Sequence, residues 1–192
     1  KLWTYFFFVQ NFSSEIPYFF MESWSLSIEE FAYLIGPLLL YFSLFIKTTI
    51  SKSQQFLFVT LAIIVVFFVT KCYYAMNDDV KTMVFWNSNL KALVIYRIDA
   101  VYYGVFAAYI SIVKLKFWQN VKYVFFVLSV LMLAAINILV PIFQLFIESH
   151  SVFWNVFYLP LNSIAILLAL PLFSQLHNCP KILSKPITFI SI

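Results

Sequence analysis

Charge is the first thing this chain lacks: Asp, Glu, Lys and Arg together make up 10% of its 192 residues. Hydrophobic residues supply 64% and aromatics 21%, with a mean hydropathy of +0.94. Such a composition holds too little polar surface to shield a soluble domain's apolar atoms from water, which excludes a soluble enzyme or binding module. Glycine is nearly missing too, and Gly36 and Gly104 are each expected to let another helix approach closely. The two cysteines, Cys72 and Cys179, fall near opposite membrane faces in the topology derived below, so they read as packing residues rather than a disulfide. His150 and His177 stand alone, and no Cys/His spacing fits a metal site. No basic and aromatic recognition motif accompanies the net charge of +4, so nothing argues for a nucleic-acid partner.

What the chain has in abundance is long apolar runs. A helix needs about 20 apolar residues to cross a bilayer core. The stretches 31–46, 56–74, 91–113, 121–143 and 153–173 qualify, and a sixth opens near Pro186. They are continuous and too long for barrel strands, which alternate apolar and polar residues over about 10 positions. The expected fold class is all-α: a polytopic transmembrane helical bundle with about five complete spans plus the start of another. Residues 1–192 read as a single membrane domain. The chain begins with Lys1 rather than Met, and its final apolar segment has just opened at Phe189. The leading run Leu2–Val9 is too short to span and lacks the features of a signal peptide. The expectation is therefore a portion of a longer membrane protein.

Lysine placement orients the bundle, because cytoplasmic loops keep an excess of Lys and Arg. The connections 47–55, 114–122 and 174–186 carry Lys47, Lys52, Lys114, Lys116, Lys122, Lys181 and Lys185 without any acid. The alternate connections hold Asp78 and Asp79 against Lys81, and Glu148. The lysine-rich loops are thus expected in the cytoplasm, with residues 1–23, 75–90 and 144–152 outside. Lys71, near the outer end of its helix, is expected to snorkel to the interface. Trp24 and Trp154 are expected as interfacial anchors, and Asn137 and Asn162 as interhelix hydrogen bonders. Pro37, Pro141, Pro160 and Pro171 lie in or beside spans, where proline kinks a helix or is simply tolerated.

Two clusters of charge sit where hydrocarbon makes them costly. In Glu22–Leu40 the adjacent acids Glu29 and Glu30 open into an apolar run, and helical periodicity puts Ser25, Glu29 and Tyr33 on one face with Glu30 about 100° away. That face is a candidate for a carboxylate that accepts a proton or orients a hydroxyl nucleophile. The alternative is a helix start, because Ser27-Ile-Glu-Glu30 fits a capping box and acids there complement the helix dipole. In the second cluster Arg97 and Asp99 are two residues apart and point to different sides of a helix. Arg97 is a candidate partner for Glu29, for Glu30 or for an anionic part of a substrate, and a purely structural interhelix ion pair is the competing account.

The run Phe19-Phe-Met-Glu-Ser-Trp-Ser-Leu-Ser-Ile-Glu-Glu-Phe-Ala-Tyr-Leu-Ile-Gly-Pro-Leu-Leu-Leu40 resembles the Trp-Ser-Leu-Ser-x-Glu-(Glu/x)-x-x-Tyr-Leu-x-x-Pro-Leu motif of the acyltransferase-3 family of polytopic membrane O-acyltransferases. Upstream, Phe7-Phe-Val-Gln-Asn-Phe12 is similar to the segment before that motif. Downstream, Arg97-Ile-Asp-Ala-Val-Tyr-Tyr-Gly104 is similar to the family's Arg-x-Asp-Ala helix, and Ile187–Ile192 to the lead-in to its last span. The resemblance implies transfer of an acyl group, usually acetyl from cytoplasmic acetyl-CoA, to a hydroxyl of a glycan or other exported acceptor. No bound cofactor is implied, acyl-CoA being the donor substrate, and the location implied is a bacterial inner membrane. On this reading Glu29 and Ser25 are the catalytic pair, and Trp24, Glu30, Tyr33, Arg97 and Asp99 bind substrate. Phe31-Ala32 departs from the family pattern. The family's catalytic His and Arg-rich motif would precede Lys1, so the chain is expected to be inactive alone. A transporter or flippase with a charged pocket in its outer half is the rival reading. It predicts an inverted repeat, and neither motif occurs a second time.

Overall fold

The computed structural model describes residues 2–14, 18–46, 49–77 and 82–176. Over these residues every regular element is a helix and there is no strand. The α-helices are α1 (Trp3–Phe6), α2 (Trp24–Ser43), α3 (Lys52–Asn77), α4 (Met83–Trp86), α5 (Asp99–Val113), α6 (Leu115–Asn120), α7 (Lys122–Ile142) and α8 (Leu159–Phe173). Among the described residues α2, α3, α7 and the run Phe153–Phe173 are long and apolar enough to cross a membrane. Their outward side chains are apolar, with Val65 57%, Val124 61%, Leu131 59% and Ile166 59% exposed. A surface of that kind is stable against lipid and not against water.

The all-α bundle is as expected, but the span 91–113 is not one helix. Its first part is a π turn at Asn87–Lys91, an extended Leu93 (ψ 136) and a 3-10 turn at Val94–Tyr96; regular helix begins only at Asp99. The backbone groups freed by this break find partners in other segments. The Asn11 carboxamide donates to the carbonyls of Ala92 and Trp24, while the backbone amides of Val94 and Ile95 donate to the carbonyls of Asn11 and Phe12 at 3.1 and 3.3 Å. Thr70 Oγ1 of α3 donates to the Ile95 carbonyl at 3.2 Å. Non-helical backbone at membrane depth is tolerated where protein groups replace the missing water, and that condition is met here. The sixth apolar segment lies outside the described residues.

Two buried clusters hold the bundle. Ile28 and Ala32 of α2 pack with Ile63 of α3 and with Val94, Ile98 and Tyr102 around α5. Gly36 continues that face of α2, and a side chain there would meet Tyr102 Oη at 2.0 Å, so its expected close approach is real. Gly104 has no neighbour within 4 Å of a hypothetical Cβ, so that expectation fails. The second cluster joins Tyr74, Trp86, Leu90, Ile147, Trp154 and Leu159. Trp154 is 8% exposed, stacks near Tyr158 with ring centroids 4.3 Å apart, and donates from Nε1 to the Leu145 carbonyl at 2.7 Å. It is a core residue, not the interfacial anchor the sequence led us to expect.

These contacts sort the described parts of the connections by end. Residues 10–11 and 23–24, the turn at 86–95 and the 144–152 connection meet at one end, through Asn11 with Trp24 and Ala92, Trp86 with Trp154, and Trp154 with the Leu145 carbonyl. At the other end Ser53 reaches Tyr109 at 3.2 Å, and Trp118 Nε1 donates to Ser174 Oγ at 3.0 Å. The described residues of the connections read as lysine-rich, 49–55, 114–122 and 174–176, therefore share an end, opposite 144–152 and the turn at 86–95. Asn137 and Asn162 bond the carbonyls of Leu133 and Tyr158 on their own helices, rather than crossing to another helix as expected.

Candidate functional site

The break between α4 and α5 brings the two charged clusters together. Trp24, Ser25, Ile28 and Glu29 from the first turns of α2, with Arg97, Ala100 and Val101, line a cleft of about 220 Å³. Arg97 sits in the non-helical turn before α5 (φ −126, ψ −7), so its side chain leaves the backbone beside α2 instead of continuing a helical stripe. Trp24 is half-buried and also lines a neighbouring cleft of about 410 Å³ with Glu22, Asn87, Ser88 and Lys91. The Lys91 ammonium lies 5.9 Å from the centroid of the Trp24 ring, within cation–π range. One indole thus lines both clefts.

Helix α2 starts at Trp24, with Ser23 as its N-cap and no side-chain capping bond. Ser27 is consequently inside the helix, fully buried, with its hydroxyl unpartnered, and Glu30 lies beyond the first turn. The capping-box account of these acids is overturned. Ser23 is used differently: its Oγ donates to the Phe20 carbonyl at 2.7 Å and accepts from Gln10 Nε2 at 3.3 Å. Gln10 and Asn11 together fasten the start of α2 to the break, a structural role that their sequence alone did not reveal.

The proposed site residues distribute as follows. Ser25, Glu29 and Arg97 share the smaller cleft with Trp24. Tyr33, 62% exposed, opens instead onto a groove of about 340 Å³ with Gly36 and Tyr102. Ser25, Glu29 and Glu30 are all exposed, but Glu30 lines none of these clefts. Asp99 is 1% exposed and does not line the cleft; its Oδ2 pairs with the Lys71 ammonium. Lys71 is fully buried, so the expected snorkelling does not occur. Its signal was present in the sequence: a lysine within one apolar run and an aspartate within another are each costly in hydrocarbon unless they meet. Asn155 was also missed; it is completely buried in the π turn Phe153–Tyr158, and neither carboxamide atom has a hydrogen-bond partner.

Elsewhere, His150 is exposed and lies 2.9 Å from Ser149 Oγ through Nδ1. Cys72 is a partly buried free thiol. His177 and Cys179 lie outside the described residues. Among the described residues no three His, Cys, Asp or Glu side chains converge as metal ligands.

Chemically, the smaller cleft offers a carboxylate, a hydroxyl, an indole and a guanidinium around one space. A carboxylate can take a proton from a hydroxyl, and a guanidinium can stabilise a developing oxyanion. No family model, curated protein or solved structure matches this chain.

Proposed function

We propose that the chain is a portion of a membrane-embedded O-acyltransferase that moves an acyl group, most simply acetyl, from acyl-CoA to a hydroxyl of an exported glycan or other surface acceptor. The single observation that carries this reading is the cleft in which Glu29, Ser25 and Trp24 from one motif face Arg97 from the other, across about 70 residues of sequence. In the reaction the acceptor oxygen bonds to the acyl carbon and the bond from that carbon to the donor's sulfur breaks. Glu29 accepts the acceptor's hydroxyl proton as the oxygen attacks, and the departing thiolate takes up a proton in turn. Ser25 hydrogen-bonds Glu29 or the acceptor, and Arg97 stabilises negative charge on the acyl oxygen. Trp24 offers a flat apolar wall to the acceptor. The Lys-rich end of the bundle faces the cytoplasm and the cleft faces outward, in a bacterial inner membrane.

Acylation of the native acceptor by the full-length protein tests this directly. Glu29→Gln should lower the acylation rate at least about 100-fold, the usual range for a proton-transfer group, with insertion and abundance unchanged. Glu30→Gln should stay within about twofold of the unaltered protein, as surface substitutions do. Full acylation by Glu29→Gln would remove that residue from the mechanism.

The interruption of regular helix at 92–98, beside a charged cleft, favours one second reading, a transporter or flippase. Broken helices with exposed backbone termini build substrate sites in such proteins. Proteoliposomes that move substrate without acyl-CoA, and form no acylated product, would select it.

A further inference from the structure

Arg97 is the one arginine in the sequence. Asp99 stands two residues further on, and in a low-dielectric interior a carboxylate and a guanidinium so placed attract strongly, with Arg–carboxylate pairing favoured geometrically as well. They are nevertheless unpaired. The ion pair found among the described residues joins Asp99 to Lys71 of α3. Arg97 Nε and Asp99 Oδ1 are both buried and both without a hydrogen-bond partner, so each half of a rival pair, two residues apart in the chain, has an atom unused.

We infer that Lys71 is a positioning residue for the cleft: by occupying Asp99 it leaves the Arg97 guanidinium facing Glu29 and Ser25, free for an anionic group there. The inference rests on the cleft being the functional site. It explains why a fully buried lysine is kept where hydrocarbon makes an ammonium costly. It also accounts for an aspartate that lies beside the cleft without lining it. With Lys71 neutral, Asp99 would be an uncompensated buried charge, and the nearest cation along the chain is Arg97. Turning toward Asp99 would take the guanidinium out of the cleft.

The test needs no turnover. The full-length protein is treated in detergent with phenylglyoxal, an arginine-specific dicarbonyl, and modification of the Arg97 peptide is followed by mass spectrometry. Lys71→Met should slow that modification about tenfold, the effect of one moderately strong ionic contact. Asp99→Asn should leave it at the unaltered rate or faster, and Lys71→Met with Asp99→Asn should restore it. Lys71→Arg, which keeps Asp99 occupied, should also react normally. If Lys71→Met does not accumulate, Lys71→Gln takes its place in the comparison. A pair that merely holds α3 against α5 would loosen in either single variant and move Arg97 reactivity in the same direction in both; that result overturns the inference. Because modification is read without acylation, the opposite signs can appear even if Glu29→Gln proves fully active, in which case the positioning stands and the acyltransferase reading falls.

Discussion

The phenol of Tyr102 donates a 2.8 Å hydrogen bond to the carbonyl of Ala32, in the space that a side chain on Gly36 would need. This contact draws α5 onto α2 close to the cleft, and Tyr102 is only 5% exposed, so its ring has little room to withdraw. The cleft's two walls are therefore held together by a glycine and a tyrosine that take no part in its chemistry.

Gly36→Ala should destabilise the protein by about 1–3 kcal/mol through overpacking, because the new Cβ would lie 2.0 Å from Tyr102 Oη. Tyr102→Phe removes that atom and leaves ring Cζ, at 3.1 Å, as the nearest contact. The double variant should accordingly lose less stability than the sum of the two single changes. Thermal unfolding in detergent closes the cycle, and strict additivity would show that the two residues are not in contact. Gly104→Ala is the internal control: with open space around it, the helix-propensity gain of about 1 kcal/mol should leave stability unchanged or raised.

Asn11→Ala should loosen the break between α4 and α5. The substitution removes the buried donor to both Ala92 and Trp24 and leaves those carbonyls without it, at about 1–3 kcal/mol for each group left unsatisfied. Amide hydrogen exchange should rise at Val94 and Ile95, whose partners are the carbonyls of Asn11 and Phe12. Exchange at the middle of α7 should stay as it was, since α7 makes no part of this junction. Unchanged protection at 94–95 would mean that the backbone contacts alone hold the break.

A cysteine at Glu148 should react with a membrane-impermeant maleimide added to intact cells, and a cysteine at Lys116 should react only after permeabilisation. The basis is that lysine-rich connections stay in the cytoplasm, together with the placement of the two positions at opposite ends of the bundle. The reverse labelling pattern would put Glu29 and Arg97 on the cytoplasmic side and remove an outward acceptor site.

Much of this architecture was readable one residue at a time, and the failures share a cause. The capping-box reading of Ser27 and Glu30 failed because the helix begins four residues earlier than a Ser27 cap requires, at Trp24, where Gln10 and Asn11 hold Ser23 and the Trp24 carbonyl from outside the local sequence. The run 91–113 reads as one span because hydropathy sums side chains; the break within it depends on whether distant partners satisfy its backbone. Trp154 was assigned to the interface by residue type, yet Trp86 and Tyr158 enclose it. Lys71 was placed at the lipid surface because a lysine near a helix end usually reaches water, and nothing within its own helix announces Asp99.

The sequence by itself determined a helical membrane bundle, the alternation of its connections and the residues that carry polar chemistry, because transfer of apolar side chains into lipid and the cost of embedded charge are properties of short segments. The tertiary structure alone decided which of those charges meet. Arg97 shares a cleft with Glu29, Asp99 is bound to Lys71, and Glu30 is left facing outward. Pairing energies in a low-dielectric interior depend on a few ångströms of separation between helices, and where α5 meets α2 that separation is set by Gly36 and Tyr102, with Asn11 holding the break beside them.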